Sequence, residues 1–295
     1  MSEIRIDSLL PAEMATRAEY LGVKKAEMPV FTVLVLSILA GAFISLGAIF
    51  STTVAAGAMA VTAPDGSVVF STGLPFGLTR LLAGLAFCLG LILVVVGGAE
   101  LFTGNNLIVM AWASGKVSGR AVLRNWGLVY IGNFIGSIAT ALLMFFTRQY
   151  TFAADTVGIT AFRIAAAKCE LGFIQAVALG ILCNALVCLA VWLTYSARTT
   201  LDKIISIIFP ITAFVAAGFE HSVANMYFIS YALFIKGLDA EYAARIADRV
   251  PNLGRISWKA FLVDNLFPVT IGNIIGGAVL VAATYWVVFL RNKKD

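Results

Sequence analysis

Long apolar runs joined by short polar connections dominate the chain. Five uncharged runs are long enough to cross a bilayer as helices, which takes about 20 residues. They span residues 29–50, 81–99, 125–147, 171–197 and 266–290. A sixth apolar region, 204–235, is interrupted by Glu220 and His221. This pattern predicts an all-α membrane protein with six transmembrane helices.

Two of the apolar regions are too long for one straight span. Residues 81–115 and 204–235 would each extend about 50 Å as a single helix, against roughly 30 Å of hydrocarbon. Both contain glycine and polar residues where a break relieves the mismatch, around Gly98 and Gly218. We therefore expect the second and fifth helices to be broken into two half-helices.

Two motifs recur in the same order in both halves of the chain. Residues 98–105 and 218–225 share a Gly-x-Glu start and an Asn end. Downstream, Asn125 with Ile-Gly-Asn at 131–133 matches Asn265 with Ile-Gly-Asn at 271–273. Each half holds three spans, so the second copy enters the membrane from the opposite side. The pattern predicts a 3+3 inverted repeat, of about 29–147 and 171–290, within one channel domain, 29–290.

The ends of the chain are polar. Residues 1–28 place Leu10, Met14, Ala18 and Leu21 on one helical face, which predicts an amphipathic helix on the membrane surface. Lys and Arg concentrate in this segment, in the connections after the second and fourth spans, and in the tail 291–295. By the positive-inside rule both termini are predicted to be cytoplasmic.

Composition narrows the function classes. Charged residues make up 13% of the chain, against about 25% in soluble domains, and the mean hydropathy is +0.94. Without a basic run interleaved with aromatics, nucleic acid is not an expected partner. Four cysteines and one histidine give no metal-ligand spacing, so no metal or cofactor is predicted. A lone histidine also supplies no catalytic constellation, so we do not expect an enzyme, and paired Asn-Pro-Ala motifs of water channels are absent.

The predicted breaks are the first place to look for a pore, because irregular backbone at membrane depth must line a cavity or be buried in protein. Each break starts a half-helix whose positive N-terminal end favours an anion, with Thr103 and Ser222 as expected caps. His221 lies in the second break and is expected to face the pore. We predict that it exchanges a proton with the passing anion and so sets the pH dependence of conduction; the alternative is a ring that stays neutral and donates a hydrogen bond.

Other residues near the breaks carry alternative interpretations. Glu100 and Glu220 are interpreted as buried anchors that accept hydrogen bonds from N–H groups of the loops. Asn133, Asn184 and Asn273 are expected to form hydrogen bonds between helices. Lys168, considered alone, is typical of a lysine whose charged end reaches the membrane interface. Bulky residues near the breaks either fill the core or form apolar constrictions: Phe87, Leu91, Leu101, Phe102, Val187 and Phe214.

Four segments together resemble the formate/nitrite transporter family. They are Glu-Leu-Phe-Thr-Gly at 100–104, Cys-Leu-Ala-Val-Trp at 188–192, Gly-Phe-Glu-His-Ser-Val-Ala-Asn-Met at 218–226 and Asn-Leu-Phe-Pro-Val-Thr-Ile-Gly-Asn at 265–273. The resemblance implies an aquaporin-like fold and a homopentamer with one pore per protomer. It also implies a channel for formate, nitrite or hydrosulfide in a bacterial inner membrane, surrounded by lipid.

The resemblance also implies roles for individual residues. His221 would be the central pore histidine and Thr103 its partner, while Asn184 and Asn273 line the pore and Lys168 biases the outer vestibule toward anions. The outer constriction would contain Phe87 and Phe214, with the path also narrowed by Leu91, Leu101, Phe102 and Val187. Both ends of the chain resemble the formate branch, so formate is the favoured substrate, with nitrite, hydrosulfide or lactate as alternatives. Small residues were expected between protomers: Gly41, Gly47, Gly132 and Gly136.

Overall fold

A computed structural model describes residues 7–58, 60–62, 67–71 and 73–292. Within these residues, six helices are long and apolar enough to cross a membrane, which confirms the predicted number. They are α2 (Val30–Ala56), α3 (Phe76–Gly97), α5 (Gly119–Phe146), α7 (Phe173–Ser196), α8 (Thr200–Ala217) and α11 (Ala260–Phe289).

The second and fifth spans are broken at glycines. Gly98 directly follows α3 with φ +77°, and Gly218 directly follows α8 with φ +79°. Glycine adopts this left-handed conformation without the steric cost of a Cβ, so it ends a helix readily. The chain then resumes as a short 3₁₀ turn, Gly104–Ile108, with α4 (Val109–Ala113) in the first half, and as α9 (Ser222–Leu238) in the second.

Shorter helices precede each set of three spans. Helix α1 (Pro11–Glu27) leads into α2, α6 (Thr156–Cys169) leads into α7, and α10 (Ala240–Arg245) follows α9. The predicted N-terminal helix is present, and its apolar face packs against the first break and α7, while its place on the membrane surface stays a prediction. Its buried residues include Met14, Ala18 and Gly22. Residues 1–6, which the predicted N-terminal segment included, lie outside the described residues.

Close approach of the spans depends on glycine inside the protomer. A Cβ added to Gly41 would collide with the backbone oxygen of Asn133, and one added to Gly136 would collide with that of Ile38. A Cβ on Gly132 would strike the Ser37 side chain. These glycines therefore let α2 and α5 pack against each other within one protomer, and the expectation that they pack against neighbouring protomers was wrong for these three positions.

Two further features complete the architecture. A small antiparallel hairpin, β1 (Val61–Thr62) with β2 (Val68–Phe70), lies between α2 and α3 and is a minor exception to the all-helical prediction. At the opposite face, the end of α11 meets the end of α4 through Trp286 Nε1, which donates to Ser114 Oγ at 3.0 Å. We call this face, which also carries α1, the inner side; residues 293–295 of the predicted tail lie outside the described residues.

Candidate functional site: a path through the two breaks

The two breaks meet in the interior of the protein. Thr103 Oγ1, in the first break, lies 3.1 Å from His221 Nε2, in the second. These residues are 118 positions apart, and both side chains are buried. The predicted pairing of the histidine with the threonine is therefore present in the structure.

His221 caps the second half-helix. Its backbone is extended (φ −110°, ψ 112°), and its Nδ1 accepts a hydrogen bond from the backbone N–H of Ala224 at 3.1 Å. A ring nitrogen that accepts a bond carries no proton, so in the neutral ring the proton is at Nε2 and is donated to Thr103 Oγ1. The expected caps were wrong, because the hydroxyl of Ser222 has no partner among the described residues and Thr103 makes no capping bond.

The backbone of Thr103 is held by three side-chain donors. Its carbonyl oxygen accepts from Asn106 Nδ2 at 3.2 Å, from Asn184 Nδ2 at 3.3 Å and from Cys188 Sγ at 3.3 Å. These contacts fix the peptide that presents the Thr103 hydroxyl to His221. Asn184 also donates to Asn273 O at 2.6 Å, so this amide links the first break to helix α11.

Two equivalent asparagines bind the break backbones to their neighbouring helices. Asn133 accepts from Phe102 N at 2.9 Å and donates to Ser37 O and Glu100 O. Asn273 accepts from Ser222 N at 2.9 Å and donates to Gly180 O and Glu220 O. The predicted cross-helix bonding of these amides is confirmed.

A cavity opens on each side of the contact between Thr103 and His221. The outer cavity, 650 Å³, is lined by Phe87, Phe214 and His221, and the rings of Phe87 and Phe214 meet edge to face with centroids 5.6 Å apart. The inner cavity, 310 Å³, is lined by Leu91 and Leu101. The four apolar residues thus divide between the two sides of the break.

Four other residues that the resemblance placed along the path lie outside the linings of these two cavities, and their place on the path stays a prediction. Phe102 packs edge to face against Tyr130, with ring centroids 4.9 Å apart, because consecutive residues of the break point to opposite sides. Phe102, Val187, Asn184 and Asn273 line neither of these two cavities. The two amides hold the backbone of the breaks instead of facing these cavities.

The first break contains a buried charged cluster. Lys25 Nζ lies 2.6 Å from Glu100 Oε1 and 3.0 Å from Asn105 Oδ1. Asn105 Nδ2 in turn donates to Glu100 Oε2 at 2.7 Å and to Asn125 Oδ1 at 2.9 Å. Glu100 is thus an anchor, but its donors in this cluster are side chains and not the N–H groups that were predicted. Lys25, on α1, is a partner that the sequence interpretation missed.

The second break repeats this cluster. Lys168 Nζ lies 2.7 Å from Glu220 Oε1, and Asn225 Nδ2 donates to Glu220 Oε2 at 2.6 Å and to Asn265 Oδ1 at 2.8 Å. Lys168 is on α6 as Lys25 is on α1, so the repeat extends beyond the predicted limits to include α1 and α6. Lys168 lines the outer cavity, as expected from the resemblance, but its charge is paired with Glu220.

Positive charge exceeds negative charge around both cavities. The outer cavity is lined by Arg80, Arg163 and Lys168, with Glu220 as the acidic residue. The inner cavity is lined by three basic residues, Arg17, Lys25 and Lys203, against Glu100. An anion is therefore attracted to either mouth of the path. Among the described residues, no group of three His, Cys, Asp or Glu side chains forms a candidate metal site.

Comparison with known proteins gives one consistent family. The family model described as formate/nitrite transporter matches residues 12–287. "Formate channel FocA" of Escherichia coli (strain K12) is 43% identical over 287 residues, covering 97% of this chain and 96% of the relative. "Formate channel FocB" of the same organism is 36% identical, covering 99% of both.

A solved structure agrees with this assignment. "Pentameric formate channel with formate bound" is 42% identical and superposes with a TM-score of 0.78, covering 89% of this chain and 98% of that chain. The residues matched by the family model, 12–287, include both breaks and all but the last two residues of the sixth span. The chain belongs to the formate/nitrite transporter family.

Proposed function

We propose that the protein is a channel for small monovalent anions, with formate as its principal substrate. The observation that carries the proposal is the contact of Thr103 with His221 between two cavities of positive net charge. Relatives that cover nearly the whole chain are named formate channels, and the pentameric relative holds formate. These similarities favour formate over other small anions.

The electrostatics of the centre support an anion over a cation. Helix α9 starts at Ser222 directly after its cap His221, and its N-terminal end carries partial positive charge. The Nε2–H of His221 and the hydroxyl of Thr103 are hydrogen-bond donors that an entering carboxylate can accept from. Around them, Phe87 and Phe214 on one side and Leu91 and Leu101 on the other make the surroundings apolar, and a lower local dielectric strengthens these interactions.

The same arrangement supports transport without catalysis. Both ring nitrogens of His221 are engaged, one by Ala224 N and the other by Thr103, which leaves no ring nitrogen free to act as a general base. We further propose that the inner side faces the cytoplasm of a bacterium. The basic residues of α1 and of the connections after α4 and α7 lie on that side, as the positive-inside rule requires.

The formate selectivity is expected to depend on the outer aromatic pair. Proteoliposomes with wild-type protein should take up formate faster than lactate. Phe214→Ala should raise the ratio of lactate flux to formate flux, because removing the ring widens the passage beside Phe87. Phe209→Ala, an exposed phenylalanine on the same helix, is the matched control. Absence of formate uptake by the wild type would refute the proposed substrate, and an unchanged ratio in Phe214→Ala would remove this pair from the selectivity determinants.

We also propose that the protein assembles as a homopentamer with a pore in each protomer. Spans α5 and α8 are the least buried of the six within one protomer, so lipid or other copies of the chain must cover their apolar faces. Native mass spectrometry of the complex extracted in mild detergent should give five times the chain mass. A trimer or a monomer across the usable detergent range would contradict this assembly.

A further inference from the structure

The inner cavity is lined by basic side chains that have few acceptors within the protein. Among the described residues, Lys203 Nζ makes no hydrogen bond or ion pair, although Lys203 is half-buried and lines the cavity. Arg17 donates one hydrogen bond, to Tyr195 O at 3.2 Å, and has further N–H groups available. Glu100, the acidic residue of the lining, is already paired with Lys25 at 2.6 Å.

The outer cavity differs in this respect, although its lining has the same balance of charges. Arg80 donates to Val215 O and to Ala216 O at the end of α8, and Arg163 donates to Arg249 O. Lys168 is paired with Glu220 at 2.7 Å. Every cation of the outer lining therefore has a protein acceptor, whereas Lys203 of the inner lining has none among the described residues.

We propose that the inner cavity binds a phosphate dianion, as inorganic phosphate or the phosphoryl group of a small metabolite, between Arg17 and Lys203. A phosphoryl group carries about −1.5 to −2 charge at neutral pH and three strong acceptor oxygens, so it can engage both side chains at once. Formate has one charge and two oxygens, so it binds Arg17 and Lys203 more weakly than phosphate does. The ligand is distinct from the proposed substrate of the channel.

The size and place of the cavity indicate what binding would do. Its 310 Å³ is about ten times the ~30 Å³ that a water occupies in the liquid, which leaves room for phosphate and several waters. The lining includes Leu91, Leu101 and Gly104, directly below the first break. Phosphate held here occupies the inner mouth of the path, so it reduces formate flux in proportion to its occupancy.

The test is equilibrium binding of radiolabelled inorganic phosphate to the purified full-length protein, with ionic strength held constant by chloride. Wild type should bind saturably, and Lys203→Gln should bind about tenfold more weakly, since one charge-assisted hydrogen bond is lost. Lys203→Arg should retain binding. Lys24→Gln, an exposed lysine of α1 outside the cavity lining, is the matched control and should bind as wild type does.

Formate flux provides the second measurement and separates this proposal from the proposed function on which its inhibitory consequence rests. Phosphate on both sides of proteoliposomes should slow formate flux in wild type and slow it less in Lys203→Gln. No saturable binding by wild type, or equal binding by wild type, Lys203→Gln and Arg17→Gln, would overturn the phosphate site. Binding that depends on Lys203 in a protein without formate flux would keep the site and refute the formate channel instead.

Discussion

Replacing Asn273 with leucine is expected to prevent stable folding of the second break. Leucine has the same number of side-chain heavy atoms but removes the acceptor for Ser222 N and the donors for Gly180 O and Glu220 O. Three backbone groups would then be left without partners in a region where water cannot replace them. At roughly 1 kcal/mol or more for each bond, the free energy of unfolding should fall by about 3 kcal/mol or more.

The thermal midpoint of the purified protein measures this loss. A fall of about 3 kcal/mol corresponds to a decrease of roughly 6 to 12 °C for a domain of this size. Asn133→Leu removes the equivalent bonds from the first break and should produce a similar decrease. Thr140→Val, which removes a hydroxyl that donates to Gly136 O in the same helix, is the control and should change the midpoint little. A midpoint for Asn273→Leu equal to that of Thr140→Val would show that these bonds do not hold the break.

The spans, the breaks and the repeat could be predicted from the sequence because each depends on local features. An apolar run has a countable length, and Gly98 and Gly218 are recognisable helix ends beside repeated motifs. The cluster of Lys25 with Glu100 could not be found in this way, because its members are 75 residues apart and the helix that carries Lys25 looks like a surface helix. Lys25 and Lys168 occupy equivalent positions in the two repeats, but a single shared lysine is too little to reveal a repeat in the sequence.

The direction of individual side chains in the breaks was also beyond the sequence. Leu101 and Phe102 are adjacent, yet one lines the inner cavity and the other packs on Tyr130, since an irregular backbone has no fixed period. The cap of α9 was assigned to Ser222 because serine is a common cap and histidine is not. The bond that His221 Nδ1 accepts from Ala224 N bears on the transport mechanism, because it decides whether the ring can carry a second proton.

Formate transport is expected to be electrogenic, with the neutral His221 acting as a hydrogen-bond donor. A proton relay would need a second ring proton, and Nδ1 is the one position left for it. That nitrogen accepts the N–H of Ala224 at 3.1 Å, so protonation would break the helix cap and place a cation against the positive end of α9. The geometry therefore favours the alternative in which the anion passes without receiving a proton from His221.

Paired measurement of labelled formate flux and current tests this mechanism. Wild type should carry about one charge per formate, since a neutral donor leaves the anion ionised near pH 7, well above a carboxyl pKa of about 4. His221→Asn can still cap α9 through its amide oxygen but loses the donor at Nε2. Its flux should fall about 10- to 100-fold, the effect of one hydrogen bond to a charged group, at an unchanged ratio of charge to formate.

His221→Phe separates the two roles of the ring. It removes both the cap and the donor while keeping a ring beside Phe214, whose centroid lies 5.9 Å from that of His221. We therefore expect it to lower both the flux and the thermal midpoint, whereas His221→Asn should lower mainly the flux. Electroneutral uptake by wild type that becomes electrogenic in His221→Asn would show that the histidine does deliver a proton. In that case the bond from Ala224 must open during each transport event, because Nδ1 cannot accept that bond and carry a proton at the same time.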